Sequence, residues 1–145
     1  MRSVRLIAIL AALAALSYAG AALAAGLGKA QYTGTTSDNT AVRLRLSSDG
    51  KRVAKLRIFY TVSCDNGQAH KTFTDIFNLG IGKRSTFSGS GTYQGQQDQS
   101  TNNFKISGKV GAKTSKGRFS LNATDAAKTV HCNTGTVSWT ASRVK

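Results

Sequence analysis

Beyond residue 30 the chain alternates apolar and polar positions with a period of two, and no window of useful length keeps a helical period. Successive side chains of a strand point to opposite faces, so the pattern describes strands with one face turned inward. Strands are predicted over 31–35, 41–47, 53–64, 68–77, 86–94, 104–113, 118–124 and 130–142. Turn chemistry separates them, including Asp49-Gly50, Asp65-Asn66-Gly67 and the polar run 94–103. Helix is limited to a single turn near 124–128. The fold class that follows is all-β, an antiparallel sandwich or a small partly closed barrel of about seven to eight strands.

The inward faces read Val42, Leu44, Leu46; Leu56, Ile58, Tyr60, Val62; Phe104, Ile106, Val110; and Phe119, Leu121, Ala123. In "CNTGTVSWTA" the even phase of Cys132 gives way to the odd phase of Val137, Trp139 and Ala141, which a bulge near Gly135 would reconcile within one strand. Between Cys64 and Gln68, a two-residue loop would put Lys71 and Asp75 on the apolar face. A three-residue loop with Gly67 in the left-handed position avoids this. It pairs Val62 with His70, Tyr60 with Thr72 and Leu56 with Ile76, and on the opposite face Phe59 with Phe73 and Arg57 with Asp75. It also turns Cys64 inward. Gly89, Gly91 and Gly108 mark bends or close backbone approach. The alternative is that these glycines, with Gly111, leave room for a small ligand inside a barrel, although a filled interior is the norm for small barrels. The chain lacks proline, so edge strands need charge for protection, and Lys105, Lys109 and Lys113 suit that role.

The first residues stand apart. Arg2 and Arg5 precede an uncharged Ala/Leu-rich run, and Ala22 and Ala24 form a small-residue cleavage site. Residues 1–24 are therefore expected to be a signal peptide and 25–145 a single secreted all-β domain. An uncleaved anchor is the competing reading, since 6–27 carries no charge, but Ser17, Tyr18, Gly20 and the Ala-richness favour cleavage. Export delivers Cys64 and Cys132 to an oxidising compartment, where a disulfide between them is expected. A zinc site using His70 and His131 lacks the usual ligand spacing, and on a strand His131 and Cys132 point to opposite faces.

Charge changes the picture most. Without Arg2 and Arg5, 18 Lys and Arg face six Asp and no Glu, a formal net of +12. Such a field favours polyanions. The expected partner is an anionic cell-wall polymer or acidic glycan, with nucleic acid disfavoured by the secretory address, and the expected location is extracellular, periplasmic or at the cell envelope. The candidate surface is the outward side of 41–60, "AVRLRLSSDGKRVAKLRIFY", where Arg43, Arg45, Lys55 and Arg57 alternate with apolar residues and Phe59 and Phe73 share their face. The plainer interpretation of these cations is a solvated surface.

No catalytic pattern emerges. Carboxylate pairing has little material, Arg57 claims Asp75, and the chain has no G-x-S-x-G, H-E-x-x-H or P-loop. No enzymatic activity, metal or cofactor is expected. Two other functions compete with polymer binding. One is a small-ligand carrier using a barrel interior, and the other is an inhibitor or adhesion module using the 94–103 loop.

The order of "YTGTTS", the V-x-L-x-x-S-x-DG hairpin, "SCDNG", "FSGSGTY" and "CNTGTVSWTA" resembles small uncharacterised secreted proteins of actinobacterial type with two cysteines. The resemblance covers nearly all of the mature chain. It implies secretion, a β fold and paired cysteines, and carries neither an activity nor site residues. An immunoglobulin pattern fits less well, because Trp139 follows both cysteines.

Overall fold

The computed structural model describes residues 26–145, so the expected signal segment lies outside the described residues. Nine strands follow in order: β1 (Gln31–Thr36), β2 (Ala41–Leu46), β3 (Arg52–Cys64), β4 (Ala69–Gly80), β5 (Thr86–Gln94), β6 (Thr101–Val110), β7 (Thr114–Thr124), β8 (His131–Asn133) and β9 (Val137–Arg143). The one helical turn among the described residues is 3-10, at Lys83–Ser85 and not near 124–128. Residues 125–130 instead form a turn organised around Asp125.

Two long strands organise the sheet. β3 pairs along one edge with β4, and along the other with β2 and then, past its middle, with β8. β7 does the same, with β6 on one edge and β9 followed by β8 on the other. The ladder β3-β2-β1-β9-β7-β8 returns to β3 and closes a six-stranded barrel. β4 flanks β3 outside that ring, and β6 and β5 flank β7.

Inward residues from every strand but β8 form one core, including Tyr32, Val42, Leu56, Ile58, Tyr60, Phe119 and Val137, and Cys132 of β8 packs against it. A register shift between Arg45 and Leu46, opposite Lys55 and Val53, lets both Val53 and Leu56 face inward. The β3–β4 hairpin has the expected register, with Val62 opposite His70, Phe59 opposite Phe73 and Arg57 opposite Asp75. Gly67 sits at φ +81°, as the bulged loop requires. Cys64 and Cys132 are directly opposed on β3 and β8 and form a disulfide.

Two expectations need correction, and the alternative of room beneath the glycines falls away. The 130–142 segment is two strands and not one bulged strand, because Gly135, at φ +60°, turns the chain from β8, which pairs with β3 and β7, to β9, which pairs with β1 and β7. Lys105 and Lys109 do not guard an edge, since β6 is hydrogen-bonded on both sides and Lys113 lies in the following turn. The glycines do not open the interior. A Cβ on Gly89 would meet Leu79 at 2.5 Å, on Gly91 Phe104 at 2.9 Å, on Gly108 Phe87 at 2.5 Å, and on Gly111 the carbonyl of Thr114 at 2.7 Å. Side chains and backbone already occupy that space, as the close-approach reading required.

Candidate functional site

The β2–β3–β4 face carries the cations singled out from sequence, in the expected rows. Arg43 stands opposite Arg57, which stands opposite Asp75; Arg45 stands opposite Lys55, which stands opposite Phe77. Asp75 divides this group. Arg57 Nε and Nη2 donate to the two Asp75 oxygens at 2.6 Å each, and Lys55 Nζ lies 3.1 Å from Oδ2. The Arg57 guanidinium also lies 4.4 Å from the Phe73 ring centre, and Lys55 Nζ lies 5.3 Å from that of Phe77. These contacts hold the Asp75 carboxyl below its ordinary range, the Arg57 hydrogen bonds contributing most.

Arg43 and Arg45 have no ion-pair partner among the described residues. Their β1 neighbours, Thr33 and Gln31, are neutral, and these four residues with Lys55 and Arg57 line a hollow of about 340 Å³. Phe59 packs on Phe73 with ring centres 5.4 Å apart. Phe73 and Phe77 remain 47% and 56% exposed, so no second layer among the described residues covers them. Among the described residues the face therefore offers two guanidinium groups without an ion-pair partner on β2, separated by Arg57 and Lys55 of β3 from the exposed rings of β4.

A second group of cations was not singled out as a binding surface from sequence. On the outward side of β6 and β7, Lys109 stands opposite Lys116, Ser107 opposite Arg118, and Lys105 opposite Ser120. Alternation along each strand was legible, but their union required the β6–β7 register. The signal that could have found it is the pair Gly108 and Gly117, which face each other at the same level.

The six carboxylates explain why this chain's charge is so little neutralised on its strands. Five Asp residues serve turns and loops. Asp38 accepts from the Thr61 amide, Asp49 from the Lys51 amide and Ser47 hydroxyl, and Asp65 from the His131 amide. Asp98 accepts from Ser100, and Asp125 from the amides of Thr129 and Val130. At three of these residues the bonds favour the ionised form: the Ser47 hydroxyl, the Ser100 amide and the Val130 amide are the leading causes that lower Asp49, Asp98 and Asp125. Asp75 alone projects from a strand.

Elsewhere, a cleft of about 460 Å³ opens at the β8 end of the barrel, lined in part by Val62, Leu121, His70, Tyr93 and the disulfide. On one side the Tyr60 hydroxyl meets Thr74 at 2.7 Å, and Thr74 meets Tyr93 at 2.9 Å. Burial pushes the Tyr60 phenol above its ordinary range, so it is a neutral hydrogen-bonding group there. Among the described residues no three His, Cys, Asp or Glu side chains gather as a metal-holding group, and no helix is long and apolar enough to cross a membrane. The 94–103 segment is shorter as a loop than expected, since β6 begins at Thr101, and Asp98 and Ser100 tie it internally.

No protein-family model matches the chain, and no curated protein and no solved structure matches it. Its functional reading rests on its own side chains.

Proposed function

We propose that this chain is an exported, non-enzymatic β-domain that binds an anionic polymer at the cell envelope or outside the cell, with an acidic glycan engaging the β2–β3–β4 face. The observation that carries this reading is the placement of the carboxylates: five serve turns, and Asp75 alone meets the strand-borne cations. The same placement leaves no pair of free acids for general acid–base chemistry.

On this face the roles divide. Arg43 and Arg45 present guanidinium forks suited to carboxylates. Arg57 and Lys55 are held by Asp75 and keep Phe73 and Phe77 in place as apolar platforms. A carboxylated sugar chain matches both features, charge against the arginines and ring faces against the phenylalanines.

The test is retention of the oxidised 25–145 protein on immobilised polygalacturonate across a salt series. Wild type should be retained at low salt and released steeply as salt rises. The Arg43→Ser/Arg45→Ser variant should elute distinctly earlier, and Phe73→Ala should elute earlier by a smaller margin. Co-elution of the double variant with wild type would remove the face as the site, and a wild type that passes unretained would remove the glycan reading itself.

A further inference from the structure

We infer a second, independent anion site on the opposite part of the sheet, a trough over β5, β6, β7 and β9 that takes a linear polymer with phosphate along its backbone. Its main hollow measures about 910 Å³ and includes Lys109, Lys116 and Arg118. A further hollow of about 240 Å³ shares Ser107 and Arg118 with it and extends the trough to Lys105. Neither hollow is lined by an acid, and none of the four cations has an ion-pair partner among the described residues.

The trough has a structural cause. Phe87, Gly108, Gly117 and Trp139 stand opposite one another in one row across β5, β6, β7 and β9. The Phe87 and Trp139 rings fold under the two glycines from the inside and stack with centres 6.2 Å apart. A Cβ on Gly117 would meet the Ser107 carbonyl oxygen at 2.1 Å and Trp139 at 2.5 Å. The absence of side chains lets the β6–β7 backbone sink onto the rings, which hollows the outer surface at that level. Lys109 and Lys116 flank the row on one side and Arg118 and Ser107 on the other.

The lining selects the ligand chemistry. Ser88, Ser107, Ser138 and Thr140 supply hydroxyl donors among the cations, the mixture that commonly holds phosphate oxygens. The aromatic rings offer no stacking platform, since Phe87 is 4% and Trp139 2% exposed. Sugar rings and nucleobases therefore gain little here, whereas a charged backbone gains from every cation. Residues two apart on a strand repeat at about 7 Å, so Lys116 and Arg118 can meet successive charges of an extended chain. This sets the trough apart from the β2–β3–β4 face, where aromatics are exposed and an acid is present.

The test is calorimetric titration with short inorganic polyphosphate, together with the emission of Trp139, the single tryptophan, which lies beneath the trough. Wild type should bind with a shift in Trp139 emission. Lys109→Ser/Lys116→Ser/Arg118→Ser should lose about tenfold or more in affinity, and its log K against log salt should flatten by about 2, the slope expected of three single-strand phosphate contacts. Arg43→Ser/Arg45→Ser should leave this titration unchanged, so failure here and failure on polygalacturonate are separate results. A control lacking three turn cations, Lys29→Ser/Lys51→Ser/Lys128→Ser, should retain most of its affinity. Equal loss in the control and the trough variant would reduce the effect to net charge and overturn the site. Equal binding of polygalacturonate to the trough, charge for charge, would overturn the phosphate assignment.

Discussion

The β2–β3–β4 face and the β6–β7 trough each present four cations on paired strands, yet they differ in every other respect. On the first, Asp75 and two phenylalanines engage Arg57 and Lys55, which leaves Arg43 and Arg45 as the available charges. On the second no acid is present, the aromatics lie beneath the sheet, and glycines hollow the surface. Counting positive residues would rank the two as equals. What separates them is where the single strand-borne carboxylate sits and which side of the sheet the aromatic rings occupy.

β8 is the element that ladders to both parts, to β3 beside the first face and to β7 beside the second, and Cys64–Cys132 crosslinks it to β3. Breaking that link should have the largest effect. The two cysteines are 68 residues apart, and loop-closure entropy for such a span is about 4 kcal/mol. Cys64→Ala/Cys132→Ala should therefore unfold at a much lower urea concentration than the oxidised protein. Coincident urea midpoints would show that the β3–β8 ladder holds the two parts without the crosslink.

A smaller effect should come from filling the trough from below. Gly117→Ala places a Cβ against the Ser107 carbonyl and Trp139, and overpacking of this kind costs about 1–3 kcal/mol. Gly80→Ala, where a Cβ meets nothing within 4 Å, should stay within about 0.5 kcal/mol of wild type. Thermal melts of the pair would show whether the hollow depends on the missing Cβ. Equal melting temperatures would mean that β6 and β7 can move apart without penalty.

A change in stability smaller than that of Gly117→Ala, and the sharpest test of the contrast, is expected of Asp75→Asn. These half-buried pairs at the sheet surface contribute about 1 kcal/mol, but the substitution frees Arg57 and Lys55, so retention on polygalacturonate should increase while polyphosphate affinity at the trough is unchanged. Acid offers the same test without mutation. The folded Asp75 carboxyl is held below its unfolded value of about 3.9, so its stabilising pair is fully present above that pH and is lost as pH falls through the lowered value. As pH falls through that lowered value, retention on a permanently charged sulfonate matrix should rise for the β2–β3–β4 face and match Asp75→Asn at neutral pH. An increase of equal size in the Asp75→Asn variant would assign the pH response to other carboxylates.

Much of the first face was legible because it depends on one hairpin. Gly67 fixes the loop, the loop fixes the β3–β4 register, and the register places Arg57 beside Asp75 and Phe59 beside Phe73. Local turn chemistry is enough for that inference. The trough was not legible in the same way. Alternation alone presents Lys105 and Lys109 as edge protection, because neither the ladder that encloses β6 nor the packing of Phe87 and Trp139 under the glycines can be inferred from local sequence. The division of 130–142 escaped for a related reason. Gly135 announces a change of phase, but only long-range pairing decides that the two pieces join different strands.

The amino-acid order alone is enough for the all-β class, the inward and outward side of most strands, the β3–β4 hairpin and the excess of cations over acids. These are properties of side-chain alternation and of turns, which operate over a few residues. Long-range pairing closes the ladder through β8, puts the Phe87 and Trp139 rings under Gly108 and Gly117, and gathers the cations of β6 and β7 in an acid-free trough. Each of these depends on which distant strands become neighbours, and that choice is made by burying one common core.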